Sequence, residues 1–100
     1  MEKGRPHYSL VDAQAVVVAK GLGAFTQTAL FNGLAMGLGS EQLCGVVLGL
    51  SGDMFFKSMT THQDHTVWQD VYHALCPNGK TAYIKLTLRD GAVVIQFKEK

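Results

Sequence analysis

The pattern of apolar and polar positions changes once along the chain, near Ser51 and Gly52. Before that point, apolar residues recur at the three- and four-residue spacing of helices. After it, they alternate with polar residues, as in strands with one buried face. The sequence contains no internal repeat and no low-complexity linker. We therefore predict one α+β domain over residues 1–100, with N-terminal helices packed on a mainly antiparallel C-terminal β-sheet.

Capping signals define the first predicted helix. Ser9 followed by Asp12 resembles a capping box, so the helix should begin at Ser9 and run to about Lys20, where Gly21 and Gly23 end it. The β-branched run at residues 16–18 could also form a strand. Capping signals at both ends favour the helix.

Two further helices are predicted before the change of pattern. The second should start near Thr26 or Thr28 and end at Gly37. Ser40 should cap the third, which runs from position 41 to about position 50. The spacing of the third helix predicts a core-facing side formed by Leu43, Cys44, Val46, Val47 and Leu50.

Asp90-Gly91 predicts a two-residue hairpin turn, the strongest short hairpin signal in a sequence. Such a turn fixes the register, because paired residue numbers must then sum to 181. One face pairs Ile84 with Phe97, Leu86 with Ile95 and Leu88 with Val93, and is entirely apolar.

The opposite face of this second hairpin carries cations and no acid. Tyr83 meets Lys98, Lys85 meets Gln96, and Arg89 lies at the turn. An ordinary solvated strand face is one interpretation, although such faces usually mix both charges. A positive, acid-free face with an aromatic hydroxyl also suits an RNA backbone.

The first hairpin, from Phe55 onward, is less determined by the sequence. Lys57 and Gln69 share a face only if the loop around Gln63 holds an odd number of unpaired residues. An even loop would place Lys57 opposite Asp70 and turn Gln69 to the other face. The sequence alone leaves this register open. Of the flanking aromatic residues, we expect one of Phe55 and Phe56 in the core and the other at the surface, and Trp68 in the core.

Composition limits the class of protein. The chain is 47% hydrophobic and 17% charged, which is typical of a globular domain, and its net charge of +1 requires any RNA contact to come from locally placed cations. Cys44 and Cys76 lack metal-type spacing and are interpreted as reduced thiols of a cytoplasmic protein. The apolar stretch 29–50 is interrupted by polar residues and glycines, so we expect no membrane span and no membrane partner.

The segment from Phe55 to Tyr72, with its His-Thr-Val-Trp-Gln-Asp string at 65–70, closely resembles the corresponding stretch of the MqsR family. The opening residues 1–7 and the closing residues 97–100 resemble that family too, so the similarity extends from end to end. Members are toxins of bacterial toxin–antitoxin pairs. The resemblance implies a RelE-like fold and a messenger-RNA endonuclease that cleaves single-stranded sites such as GCU.

The resemblance also implies the catalytic residues Lys57, Gln69, Tyr83 and Lys98. RNA cleavage without a metal requires removal of the 2′-hydroxyl proton, stabilisation of the phosphorane, and protonation of the leaving oxygen. We expect the two lysines to neutralise the phosphate, the tyrosine to donate a hydrogen bond or a proton, and the glutamine to orient the substrate. A lysine acting as the base would need a lowered pKa. Solvated strand residues are the plain alternative for each.

Further RNA contacts are expected from Phe56, Met59, His65, Lys85 and Arg89. The family often has tyrosine where this chain has Phe56, which leaves base stacking but removes a hydroxyl. We interpret His65 as stabilising the turn or supporting the site. The histidines at 62 and 65 could instead form an acid–base pair, or bind a metal with Asp64, although no fourth ligand is evident. We expect no cofactor and no metal.

The resemblance implies a cognate antitoxin with a zinc-bearing N-terminal domain and a helix-turn-helix C-terminal domain. Operator DNA would be bound only through that antitoxin, and the complex would repress its own operon. The competing hypothesis is a module of the same fold that binds RNA or its partner protein and does not cleave RNA. Retention of all four catalytic positions favours the enzyme.

Overall fold

A computed structural model describes residues 1–100 and has three α-helices on one face of a five-stranded sheet. The α+β prediction is confirmed, and the arrangement is consistent with a RelE-like fold. The helices are α1 (Leu10–Lys20), α2 (Gln27–Ala35) and α3 (Ser40–Leu48). The strands are β1 (Glu2–Lys3), β2 (Phe55–Thr60), β3 (Trp68–Leu75), β4 (Thr81–Arg89) and β5 (Ala92–Glu99), in that spatial order and antiparallel throughout. Short 3₁₀ turns occupy Gly21–Ala24 and Gly52–Met54. None of the helices is long and apolar enough to cross a bilayer.

The helix caps agree with the sequence at two of three positions. Ser9 Oγ accepts a hydrogen bond from the Asp12 amide, and Thr26 Oγ1 accepts one from the Ala29 amide. The prediction for Ser40 was wrong. Ser40 is already helical, the cap is Gly39, and the Gln42 side chain accepts the Gly39 amide hydrogen bond at 2.9 Å. Ser40 occupies the first helical position and so cannot act as the N-cap. The polar partner of the Gly39 amide is instead Gln42, in the first turn of the helix.

The core lies between the helices and one face of the sheet. Tyr72, Ile84, Leu86, Ile95 and Phe97 are at most 2% exposed and pack against the buried sides of the helices. Of the predicted α3 face, Cys44 is only half-buried, whereas the other four residues are buried. Gly33 of α2 allows close packing on α3, because a Cβ there would lie 2.4 Å from Leu43 Cδ1.

The second hairpin has the predicted register along its whole length, from Ala82 opposite Glu99 to Arg89 opposite Ala92. Asp90 and Gly91 both have positive φ, 53° and 75°, as the two-residue turn requires. The outer edge of β5 is covered: Phe25 forms a parallel bridge with Ile95, whose carbonyl oxygen accepts the Thr26 amide hydrogen bond.

The first hairpin has the odd loop. Met59 lies opposite Gln69 and Thr60 opposite Trp68, which leaves a loop of seven residues, 61–67, outside the two strands. The register shifts between Phe55 and Lys57, so Phe56 is the extra residue of a β-bulge. Phe55 packs against the core, and Phe56 is 51% exposed on the opposite face. The expectation of one core and one surface phenylalanine is confirmed.

The N-terminal segment is fixed to the first hairpin by Asp70, which is 1% exposed. The carboxylate of Asp70 accepts hydrogen bonds from the amides of His7 and Tyr8 and, at 2.7 Å, from Ser58 Oγ. Trp68 lies under this segment, with the His7 ring stacked on it at 5.4 Å. We had expected Trp68 in the core, and that prediction was wrong: Trp68 is half-buried beneath the N-terminal segment and lies outside the main core.

Candidate active site on the open face of the sheet

The sheet face turned away from the core, here called the open face, carries most of the predicted site residues. Register places Lys57 opposite Val71, Val71 opposite Lys85, and Lys85 opposite Gln96 in one row across four strands. A neighbouring row contains His73, Tyr83 and Lys98. The odd loop and the two-residue turn fix the faces within each hairpin, and the β3–β4 register brings both hairpins to the same face, as a common site requires.

Tyr83 is at the centre of this face. Lys98 Nζ lies 5.0 Å from the centroid of the Tyr83 ring and Lys85 Nζ lies 5.9 Å from it. The pairing of Tyr83 with Lys98 in the register places both side chains on the same side of adjacent strands. A phenol between two ammonium groups can donate its hydroxyl hydrogen to an anion that those cations attract.

Lys57 is engaged by a residue that sequence analysis did not identify. Its ammonium donates a hydrogen bond to Glu2 Oε1 at 2.6 Å, because β1 pairs with β2 and places Glu2 opposite Met59. That hydrogen bond raises the pKa of Lys57 above its ordinary value. Lys57 is thus held as a cation, which suits phosphate neutralisation and argues against a role as general base. A two-residue strand leaves no periodic signal from which β1 could be predicted.

Lys85 has the opposite environment. Burial lowers the pKa of its ammonium, and the charges of Lys98 and Lys57 lower it further. Lys85 on β4 is therefore affected by the charges of Lys57 on β2 and Lys98 on β5. Of these lysines, Lys85 is the one whose surroundings favour the neutral amine that a proton acceptor needs.

Aromatic rings form a second feature of the open face. The bulge turns Phe56 onto His73, with ring centroids 4.4 Å apart and planes inclined by 25°. The His73 ring in turn lies 5.3 Å from the Tyr83 ring. Lys57 Nζ is 5.5 Å from the Phe56 centroid. The exposed side of Phe56 can stack on a base beside Lys57.

Gln69 and Met59 lie opposite each other in the β2–β3 register, on the open face beyond Lys57 and Val71. Gln69 is 9% exposed, and Met59 is half-buried. These positions place the amide and the thioether at the margin of the lysine cluster and not at its centre.

Arg89 and His65 are farther from this centre. Arg89 is exposed at the end of β4, and His65 is exposed in the 61–67 loop. The turn is stabilised by Asp64, whose Oδ1 accepts hydrogen bonds from the amide and the hydroxyl of Thr66. These bonds from Thr66 lower the pKa of Asp64, with a smaller contribution from the charge of Arg89. No hydrogen bond of the turn involves the side chain of His65, so the turn-stabilising role expected for it falls to Asp64. No three side chains of the metal-ligating types cluster anywhere in the structure.

A cleft of about 380 Å³ adjoins Tyr83, between the open face and α2. The sheet contributes Tyr83, Lys85 and Lys98, together with Gln96, to its lining. The helix side contributes Thr26, Thr28 and Asn32, none of which was predicted to belong to the site. Asn32 Nδ2 donates to the Phe97 carbonyl at 2.9 Å, which holds α2 beside β5 and keeps the cleft in place.

The fold and the site together define a small α+β protein with a cationic, aromatic face suited to a phosphodiester backbone. The family model described as "Motility quorum-sensing regulator, toxin of MqsA" matches residues 5–99. The chain is also 42% identical to the mRNA interferase toxin MqsR of Escherichia coli (strain K12), over the full length of both proteins.

The chain belongs to the MqsR toxin family, which confirms the resemblance noted in the sequence. Membership also confirms the predicted class, a toxin of the endoribonuclease type with an antitoxin partner.

Proposed function

We propose that this toxin cleaves single-stranded messenger RNA without a metal, by attack of a ribose 2′-hydroxyl on the adjacent phosphate. The observation that carries the proposal is that Lys85 and Lys98 lie over the Tyr83 ring, with Lys57 close enough for its charge to lower the pKa of Lys85, on a face contributed by both hairpins. This arrangement offers positive charge to a phosphorane and a hydroxyl donor beside it.

Each side chain has a defined task in this proposal. Lys57 and Lys98 neutralise the scissile phosphate as point charges, and Tyr83 donates its hydrogen to a phosphate oxygen or to the leaving 5′-oxygen. Lys85, with its lowered pKa, is the candidate acceptor of the 2′-hydroxyl proton. Gln69 orients the substrate through its amide.

Substrate positioning is assigned to the surroundings of this centre. Phe56 stacks on a base, Met59 contacts the same nucleotide from the adjacent strand, and the cleft beside α2 takes a flanking nucleotide. Arg89 and His65 contact the RNA backbone farther along the chain. The sites cleaved are GCU or closely related triplets.

The proposed partner is an antitoxin with a zinc-bearing N-terminal domain and a helix-turn-helix C-terminal domain. The toxin reaches operator DNA only through this protein, in the cytoplasm, and the complex represses the shared operon. A mobility-shift experiment tests this part: operator DNA should shift with the antitoxin or the complex and not with the toxin alone. A shift by the toxin alone would contradict it.

The cleavage proposal is tested with a defined single-stranded RNA that carries several GC-rich triplets, incubated with the toxin in EDTA. We expect cuts at one recurring triplet that leave a 2′,3′-cyclic phosphate and a 5′-hydroxyl. Tyr83→Phe serves as the matched variant, since it keeps the ring and removes the donor. Folded wild-type protein that leaves the RNA intact would instead support the non-catalytic binding module.

A further inference from the structure

His73 is the one histidine on the open face beside the proposed catalytic centre. It lies opposite Tyr83 in the β3–β4 register, with Phe56 stacked on it. His62 and His65, the histidines that sequence analysis considered for acid–base chemistry, are instead exposed in the 61–67 loop. The pairing of β3 with β4 therefore places His73, and not His62 or His65, beside the proposed catalytic centre.

The His73 ring contains an unsatisfied polar atom. Its Nε2 is buried and has no hydrogen-bond partner, although the residue as a whole is only half-buried. Either neutral tautomer leaves this nitrogen unpaired, as an unmet acceptor or an unmet donor. Retaining such an atom costs stability, which an apolar ring of similar shape would avoid. The histidine at this position therefore costs stability, and its ring contacts two residues of the proposed site, Phe56 and Tyr83.

Titratable groups lie on each of the strands around His73. Lys57 lies on β2 beside Phe56, Tyr83 and Lys85 lie on β4, and Lys98 and Lys100 lie on and just after β5. Burial lowers the pKa of His73, and the charge of Lys100 lowers it further. Protonation would add a cation to a cluster of lysines and leave a charged N–H without an acceptor.

We propose that His73 is a positioning residue of the endoribonuclease site: its uncharged ring supports Phe56 and holds Tyr83 in place, and its protonation disorders both. The inference rests on the proposed function. A protonated ring must leave the stack to become hydrated, and Phe56 then loses its stacking partner while Tyr83 loses the ring beside it. Cleavage therefore requires neutral His73 and declines as the pH falls.

The direction of the pH effect follows from the folded pKa lying below the ordinary value of about 6.5. As the pH falls, the unfolded chain binds the proton before the folded chain does. The stabilising contribution of neutral His73 is complete above about pH 6.5 and is lost as the pH falls through the lower, folded-state pKa. The loss of cleavage should follow the same folded-state titration.

One test follows the rings without measuring cleavage. NMR titration of the wild-type toxin should show His73 with a midpoint below 6.5, and the ring resonances of Tyr83 should shift with the same midpoint. A His73 titration to which Tyr83 does not respond would overturn the proposal. This test does not depend on any variant folding.

The second test is the pH dependence of kcat/KM for RNA cleavage in wild-type toxin, His73→Phe, His73→Ala and the control His62→Phe. Wild type and the control should lose activity on the acid side with the His73 midpoint. His73→Phe should lack the acid limb with the His73 midpoint, keep any limb that protonation of Lys85 sets at higher pH, and unfold at a higher temperature. His73→Ala should lose at least tenfold in kcat/KM at every pH. An acid limb with the His73 midpoint that persists in His73→Phe would overturn the proposal. A wild-type toxin that is inert at every pH would count against the proposed function instead.

Discussion

The two hairpins contribute equally to the proposed site, with Lys57 and Gln69 from the first and Tyr83 and Lys98 from the second, yet they obtain their registers differently. In the second, a two-residue turn with positive φ fixes every pair. In the first, a seven-residue loop and a bulge leave the register to long-range contacts, chiefly the hydrogen bonds that Asp70 accepts from the N-terminal segment. The first hairpin therefore depends on the N-terminus, and the second is specified locally.

The largest effect should come from removing one lysine of the site from each hairpin. Lys57→Met and Lys98→Met should each reduce kcat/KM by about 10- to 1,000-fold, because each removes a charge that stabilises the phosphorane. Single-turnover cleavage measures this loss, and Lys20→Met, on α1 away from the open face, is the matched control. Full activity in either site variant would mean that its hairpin contributes no cation to catalysis.

Loss of the Asp70 carboxylate should affect the two hairpins unequally. Asp70→Ala leaves the amides of His7 and Tyr8 without their acceptor and should lower the free energy of unfolding by about 1–3 kcal/mol. Urea denaturation gives the total loss. Hydrogen exchange should become faster in β1 to β3 before it does so in β4 and β5.

Ser58→Ala is the control, and it should destabilise the protein less than Asp70→Ala, because Asp70 then keeps the hydrogen bonds from the amides of His7 and Tyr8. Uniformly faster exchange across all five strands in Asp70→Ala would contradict the idea that the N-terminus supports the first hairpin selectively.

A change in the turn of the second hairpin should instead affect mainly the second hairpin. Gly91→Ala forces a side chain into the left-handed region and should reduce stability by roughly 1–2 kcal/mol, with the largest changes in β4 and β5. Gly45→Ala, within α3 and with open space where the Cβ would lie, should raise stability by up to about 1 kcal/mol. Thermal melting of both variants checks the opposite signs. If Gly91→Ala and Gly45→Ala melted at the same temperature, the turn would not determine the stability of this hairpin.

The smallest effect should come from Glu2, the residue of β1 that pairs with Lys57. Glu2→Gln replaces the carboxylate that raises the pKa of Lys57 with a neutral amide, which holds the ammonium more weakly and leaves it available to phosphate. KM for RNA should fall by about two- to fivefold at low salt, with kcat little changed. The difference should vanish at high salt, where exposed charges are screened. A higher KM would mean that Glu2 holds Lys57 in its productive position.

Local signals were enough to predict much of this molecule. The caps at Ser9 and Thr26, the Asp90-Gly91 register and the pairing of Tyr83 with Lys98 all depend on residues close in sequence or on one turn. The first-hairpin register was left open between two possibilities, because the bulge at Phe56 and the contacts of Asp70 are set by distant segments. The four catalytic assignments come from family resemblance, and the structure adds their common face.

Three parts of the site were not predicted. Glu2 reaches Lys57 only because a two-residue strand joins the sheet, and α2 lines the cleft only because residues 25–32 cover the edge of β5. His73 reaches Tyr83 through the β3–β4 register. Because residues 76–80 form a short turn, its length could have suggested that His73 pairs with Tyr83.

The central claim, that one RNA site spans both hairpins, is tested most directly by NMR mapping of the toxin with a single-stranded oligonucleotide whose scissile 2′-hydroxyl is replaced by hydrogen. Binding should shift resonances of Lys57 and Gln69 together with those of Tyr83 and Lys98, at one affinity. The 61–67 loop should respond less than these residues. Shifts confined to one hairpin, or two sets of shifts with different affinities, would contradict the account.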